Sequence, residues 1–376
     1  MRLKIAVIRR EYMTKLDGVN RFVFTLADGL SELGHEVHVV SYSFEETTSS
    51  GLDAHVKNFF AVERDITIHT LTNKPEAEIW PLIALAWWNK GSGLLDKLDV
   101  DATIVNGIVP LRTKATRIVV NHGIPDVKVV GWKGFKKEVY FRIGKFLYRR
   151  YADLPVCVSY KLQKEFENSM GMRSIVVPLP IKLHLFENKV LSERNDFVVH
   201  VGTRLRKNVE LSIKALRCLI KNWNVVAKLI VIGSWNDYVE RLKSKYKDMI
   251  PRQLDFMFDV DIFEVRNLMA QSRALILPST YETFSYAVLE AMASGLPVVV
   301  SEAVPAEIVQ NAYNGFRVKG FEPKRYAEKL ANLILDDILW KDISKNSLET
   351  AREYSHNKIA KEYERIIKRL IESVVK

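Results

Sequence analysis

Pro278–Glu302 reads PSTYETFSYAVLEAMASGLPVVVSE. An apolar strand, RALILPS, ends at Pro278-Ser279, and a short loop carrying Glu282 follows. A helix then begins near Ser285 and runs to Ala293, Gly295 closes it, and PVVVSE is the next strand. The first turn of such a helix exposes the backbone N–H groups of Phe284, Ser285 and Tyr286 at the positive end of the helix dipole. That is a place for an anion, a diphosphate in particular. Glu290, eight residues after Glu282, falls inside the helix, where its carboxylate can accept hydrogen bonds from a ribose diol. Taken alone, a capped helix with two incidental glutamates accounts for the stretch equally well.

The same alternation runs outward in both directions. LKIAVIR, EVHVVSYS, ATIVNGIV, RIVVNHG and PVCVS read as buried β-branched strands, with helices at Gly18–Leu33 and from Lys161. It restarts with DFVVHVG, a helix over Asn208–Lys221, AKLIVIG, a helix over Tyr238–Lys245, LDFMFDV and a helix over Phe263–Ala270. Strand–helix alternation of this kind gives an α/β chain with doubly wound parallel sheets. Two Rossmann-like halves are expected, 1–182 and 183–356, with the break in the Pro-containing stretch Pro178–Arg194. A charged amphipathic helix closes the chain over 357–376.

The 376 residues allow two domains, and 48% hydrophobic residues exclude a wholly disordered chain. Two cysteines, Cys157 and Cys218, are too few for a disulfide scaffold or a four-ligand zinc site, which favours a reduced, cytoplasmic setting. MRLKIAVIRREY suits a buried first strand better than a signal peptide, and the most apolar stretch, Ile79–Trp88, is too short to span a bilayer. Four glutamines, few cysteines and many charges fit a thermophilic source.

The net charge of +11 is uneven. Val127–Tyr151 holds eight basic residues, one acid and seven aromatics. At helical spacing Phe135, Val139, Arg142/Ile143, Phe146 and Arg150 fall near one face, an imperfect apolar stripe, so Lys128–Tyr151 reads as a core-packed helix with a solvated basic side, or as a surface for an anionic membrane at its inner face. Nucleic acid is the third reading of such a segment, but no zinc-finger spacing or RNP-like motif supports it, and none is expected as a partner.

Three further positions carry candidate chemistry. HVGTRLRKN puts Arg204, Arg206 and Lys207 just beyond a strand, where cations suit a diphosphate; a solvated basic turn is the alternative. Gly18 opens the first helix and would admit a phosphate or sugar close to the backbone, unless it is an ordinary turn glycine. His122, in NHG at a strand end, is a lone histidine of the kind that is usually structural. Two DxD strings, Asp99–Asp101 and Asp259–Asp261, read as a strand entry and a helix cap rather than as metal ligands. No Gly-x-Gly-x-x-Gly or Walker string is present, which weakens dehydrogenase and NTPase readings.

Glu, seven residues, Glu, then Ala-Met-Ala-x-Gly-x-Pro-Val-Val resembles the signature of glycosyltransferase family 4, retaining enzymes of GT-B fold. Gly202, Thr203, Lys207 and Asn208 match a second block, and LDGVNRFVFTLADGL resembles the family's glycine loop with Asp17 in place of its first glycine. Ser285 stands where the family usually has glycine. The resemblance implies two domains facing a central cleft, the first on the acceptor side, the second on the donor side, and a last helix that crosses back. It implies a nucleotide-diphosphate sugar as donor, a glycan or lipid-linked acceptor, and roles for Glu282 and His122 at the sugar. Gly18, Arg204, Lys207, Phe284, Ser285 and Glu290 would bind the donor. No cofactor is implied, and the cations make a divalent metal unnecessary. A sugar-nucleotide epimerase of the same architecture and a non-catalytic nucleotide-sugar-binding protein are the rival readings.

Overall fold

The computed structural model describes residues 1–10, 18–43, 60–72, 80–123, 132–187 and 195–375, and within these the side chains of all but 80–82, 132–141 and 374–375. The chain divides into two units, Met1–Pro180 with His356–Lys376, and Ile181–Ser355.

The first unit is built on β1 (Lys4–Arg9), α1 (Gly18–Glu32), β2 (Glu36–Ser41), β3 (Thr67–Thr70), α2 (Trp80–Ala86) and α3 (Ser92–Leu98). It continues with β4 (Ala102–Asn106), β5 (Thr116–Asn121), α4 (Trp132–Tyr151), β6 (Leu154–Cys157), α5 (Tyr160–Met170) and β7 (Ile175–Val176). Its strands lie in the order β3-β2-β1-β4-β5-β6-β7, and all pairs are parallel. A parallel sheet is covered on both faces, so its strands need no polar alternation. β1 and β4 accordingly bury nearly every residue.

The second unit repeats the plan. It holds β8 (Phe197–Val201), α6 (Val209–Trp223), β9 (Lys228–Gly233), α7 (Asp237–Lys245), β10 (Leu254–Phe258), α8 (Ile262–Gln271) and β11 (Ala274–Leu277). Then come α9 (Tyr286–Ala293), β12 (Val298–Ser301), β13 (Gly315–Val318), α10 (Pro323–Leu335) and α11 (Asp337–Glu353). The strand order is β10-β9-β8-β11-β12-β13, again parallel throughout. Local chemistry starts its helices: Asn236 caps α7 through the amides of Tyr238 and Val239, and Asp261 caps α8 through that of Glu264.

The last helix, α12 (His356–Val375), belongs to the first unit and lies along α1. Gly29 sits at the crossing, where an added Cβ would stand 3.0 Å from both the Ala360 methyl and the His356 carbonyl oxygen. Side chains pin the pair: His356 Nε2 lies 3.1 Å from Glu32, and His35 Nε2 lies 3.3 Å from Glu364.

The strands read from sequence occur where expected. Three were not read, β3, β7 and β13, because they are two or four residues long and none has a sustained apolar run. The basic segment requires one correction. It forms α4, but Phe146, assigned to the apolar face, is 63% exposed, while Leu147 and Tyr148 are buried. The helix is rotated by about one residue from the phase that spacing gave, so Arg142, Ile143, Phe146, Arg149 and Arg150 all face outward. Val127–Gly131 and the side chains up to Phe141 lie outside the described residues.

Candidate active site

In the second unit β8 and β11 are neighbours whose onward connections run to opposite sides of the sheet. Such a switch point leaves a crevice beyond the strands' carboxyl ends. Gly202, held at φ +103°, follows β8, and a short turn, Leu205–Lys207, comes next. Glycine is required on two counts. The backbone angle is unfavourable to other residues, and a Cβ would meet Lys207 Cγ at 3.1 Å and Cε at 3.2 Å. The Lys207 side chain thus lies along the bare Gly202 backbone, and its Nζ reaches Glu282 Oε1 at 2.7 Å. Both side chains are largely buried, 15% and 6% exposed. A charge-assisted bond of this kind fixes both loops at once.

The loops are laced further. Thr280 N donates to the Arg206 carbonyl at 2.8 Å. Thr203 Oγ1 donates to the Ser234 carbonyl at 2.6 Å and accepts from Ser234 N at 3.0 Å. His200 is fully buried beneath them. Its Nε2 lies 3.0 Å from the Gly202 carbonyl, which can only accept, and its Nδ1 lies 2.8 Å from Ser212 Oγ. Burial, with the nearby Lys207 cation, lowers its pKa to about 3. A neutral imidazole therefore holds the carbonyl of the turn.

α9 begins just after Glu282. Ser285 is its N-cap, at φ 156° and ψ 106°, and its side chain makes no capping bond. The Ser285 hydroxyl is buried with no hydrogen-bond partner among the described residues. Phe284 is buried with its ring edge-on to Tyr354, centroids 5.7 Å apart, so the side chain serves packing and only its amide is suited to a ligand. Every residue of α9 from Ala287 to Ala293 is buried, Glu290 included at 1% exposure. A helix apolar all round has no packing use for a carboxylate, which makes Glu290 the odd residue of the segment.

In the first unit the equivalent switch point lies between β1 and β4. Arg9 ends β1, is buried, and donates through Nε to Asn20 Oδ1 at 3.0 Å. Asn106 ends β4; its Nδ2 donates to the Ile8 carbonyl at 3.0 Å, and its Oδ1 lies 2.8 Å from His122 Nε2. Phe22 packs edge-on against the imidazole, centroids 5.0 Å apart. Burial, then the Arg9 cation, lowers the His122 pKa to about 3.

The structure therefore brings Lys207, Glu282, Phe284, Ser285 and Glu290 into connected segments of one unit. Arg204 lies on the same turn as Lys207 but is exposed, as is Arg206. His122 and Gly18 belong to the other unit. Gly18 is exposed at the start of α1, while Asp17 and the rest of 11–17 lie outside the described residues. Asp101 accepts from Lys4 N, and Asp261 caps α8, as expected of a strand entry and a cap. Among the described residues, no three His, Cys, Asp or Glu side chains are grouped to hold a metal. Sequence reading missed Arg9, Asn20, Asn106 and His200. The signal for Asn106 was available, since it is a polar residue closing the apolar run ATIV.

A family model described as Glycosyl transferases group 1 matches residues 183–350, and one described as Glycosyltransferase Family 4 matches residues 16–185. The chain is a family 4 glycosyltransferase. This glycosyltransferase is 23% identical over 372 residues to an uncharacterized glycosyltransferase of Haemophilus influenzae, covering 93% of this chain and 96% of that one. Over 112 residues, 30% of each chain, it is 34% identical to a Campylobacter jejuni N,N'-diacetylbacillosaminyl-diphospho-undecaprenol alpha-1,3-N-acetylgalactosaminyltransferase. The sucrose-phosphate synthase of Thermosynechococcus elongatus shares its GT-B fold, with a TM-score of 0.78 at 17% identity over 99% of this chain and 100% of that one. The two doubly wound sheets of the glycosyltransferase thus have the architecture that the Glu282–Glu290 segment implied.

Proposed function

We propose that this glycosyltransferase moves a sugar, with retention, from a nucleotide-diphosphate sugar to a glycan or lipid-linked acceptor in cell-envelope, glycolipid or protein-glycan assembly. The observation that carries this reading is the buried Lys207–Glu282 pair beside the start of α9. Lys207, exposed Arg204 and the amides at Phe284 and Ser285 neutralise the diphosphate as it leaves. The protein's own cations supply this charge, so the reading requires no divalent metal. Glu282 orients the sugar, Glu290 accepts from the ribose hydroxyls, and His122 accepts from a sugar hydroxyl. Gly18, at the start of α1, gives the first unit an open backbone for a phosphate or sugar. The second unit is the donor side and the first the acceptor side. Product analysis without an acceptor separates this reading from an epimerase, which would interconvert the sugar nucleotide itself.

Donor binding is tested with the member of a UDP-, GDP- and ADP-sugar panel that raises the melting temperature most. Glu290→Ala should abolish binding of that compound in calorimetry while the circular dichroism spectrum stays intact. Unchanged affinity would refute the ribose assignment.

The outward side of α4 shows Phe146 and Ile143 among Arg142, Arg149 and Arg150, which supports a reading in which the acceptor lies at an anionic membrane on the cytoplasmic face. Among the described residues no helix is long and apolar enough to cross a membrane, so attachment would be peripheral. The full chain should float with vesicles containing phosphatidylglycerol at low salt and detach from vesicles of phosphatidylcholine alone. No flotation with either at any salt would sink this part of the proposal.

A further inference from the structure

His122 can meet a substrate as a hydrogen-bond donor, as an acceptor or as a charged acid, and the structure distinguishes these. The decision lies with Asn106, a buried side chain whose amide is used at both ends. The Ile8 carbonyl can only accept, so the amide nitrogen must face it at 3.0 Å. The amide oxygen then faces His122 Nε2 at 2.8 Å. Two acceptors make no hydrogen bond, so the proton of the neutral ring sits on Nε2 and the lone pair on Nδ1.

We propose that Asn106 is a positioning residue that fixes His122 as its Nε2–H tautomer, so that His122 engages a sugar hydroxyl through Nδ1 as an acceptor. This rests on the reading that His122 contacts the sugar. The surroundings favour the neutral ring. Arg9, held by Asn20, is the charged group that acts on it; Phe22 of α1 lies edge-on, and Tyr363 of α12 packs behind Phe22. Burial and this cation lower the His122 pKa to about 3. A ring so weakly basic is a poor proton shuttle near neutral pH, but it remains a directional acceptor. Asn106 itself is held by the backbone of β1, so the sheet sets the direction of the imidazole lone pair.

The experiment is a long-range ¹H–¹⁵N correlation spectrum of the full chain with labelled histidine, with His122→Ala assigning the signal. The expected pattern is a protonated Nε2, an unprotonated Nδ1 and no titration between pH 5 and 8. A proton on Nδ1, or a midpoint near 6.5, overturns the proposal. Asn106→Asp keeps an acceptor for the Nε2 proton but adds a negative charge, so the midpoint should rise by roughly 1–3 pH units. Turnover of the panel-selected nucleotide sugar should then fall roughly 10-fold or more as pH drops through the new midpoint, and recover above it. A pH-independent loss would mean that Asn106 only supports the fold, and overturns the positioning role. Unchanged turnover in His122→Ala, with Glu290-dependent donor binding intact, would remove His122 from the site and leave the donor reading standing.

Discussion

The two switch points have the same topology and different chemistry. In the second unit the β8–β11 crevice is built from charge: a buried Lys207–Glu282 pair, two exposed arginines and the start of α9. In the first, the described residues at the β1–β4 crevice are the Asn106 amide and the His122 imidazole, with the Arg9 cation buried and tied to Asn20 and the Arg10 guanidinium lying against Gly107. A diphosphate that departs with its charge needs the first kind of surface. A hydroxyl that must be aimed needs the second, because direction comes from fixed lone pairs and not from a diffuse field. The doubly wound plan supplies the same frame twice, and under the proposed function the side chains at the strand ends divide the work.

Lys207→Met is the change that would break this contrast most severely. It leaves the Glu282 carboxylate buried without its cation, and losing one partner of a buried pair costs about 3–5 kcal/mol. Turnover of the panel-selected sugar nucleotide should fall about 10²–10³-fold, the scale seen when one charge-stabilising group is removed. Combining Lys207→Met with Glu282→Gln removes that carboxylate's charge as well. Urea denaturation should then show most of the stability restored while turnover stays low. If turnover recovers with stability, the pair serves only to fasten the two loops, and the second crevice is no more catalytic than the first.

The division into two parallel sheets was legible because short apolar, β-branched runs such as LKIAVIR and RALILPS alternate with helical stretches, with Gly34 and Gly295 marking helix ends. Glu282 and Lys207 stand in βα loops and Glu290 inside α9, and what singled them out in the sequence was their match to the family signature, since the residues alone left incidental charges open. The rest depended on contacts remote in sequence. Asn106 acts on His122 across 16 residues and is oriented by Ile8 across 98. His200 looked like one more residue of DFVVHVG, yet it supports the turn that presents Lys207. The face of α4 was misjudged because Leu147 and Tyr148, not Phe146, are the buried residues, Tyr148 against Phe166 of α5, and a helix with mixed aromatics and cations has no clean stripe to read.

The smallest effect expected is also the sharpest comparison of the two histidines. His200 has both nitrogens tied to its own unit, at Ser212 Oγ and the Gly202 carbonyl, so its neutrality is a property of the scaffold. Its folded pKa, about 3, lies below the ordinary value of 6.5, so the unfolded chain takes the proton first. The neutral ring's contribution is fully present above pH 6.5 and is lost as pH falls from 6.5 toward 3. One group of this kind gives a slope of about 1.4 kcal/mol per pH unit, or about 2 kcal/mol between pH 6.5 and 5. His200→Gln keeps a donor for the Gly202 carbonyl and cannot titrate. Its urea midpoint should be lower than that of the parent at pH 8, and the gap should narrow as pH falls to 5. Donor affinity should change little, because the amide still holds the turn. A constant gap would show that His200 is not held neutral, and would end its likeness to His122.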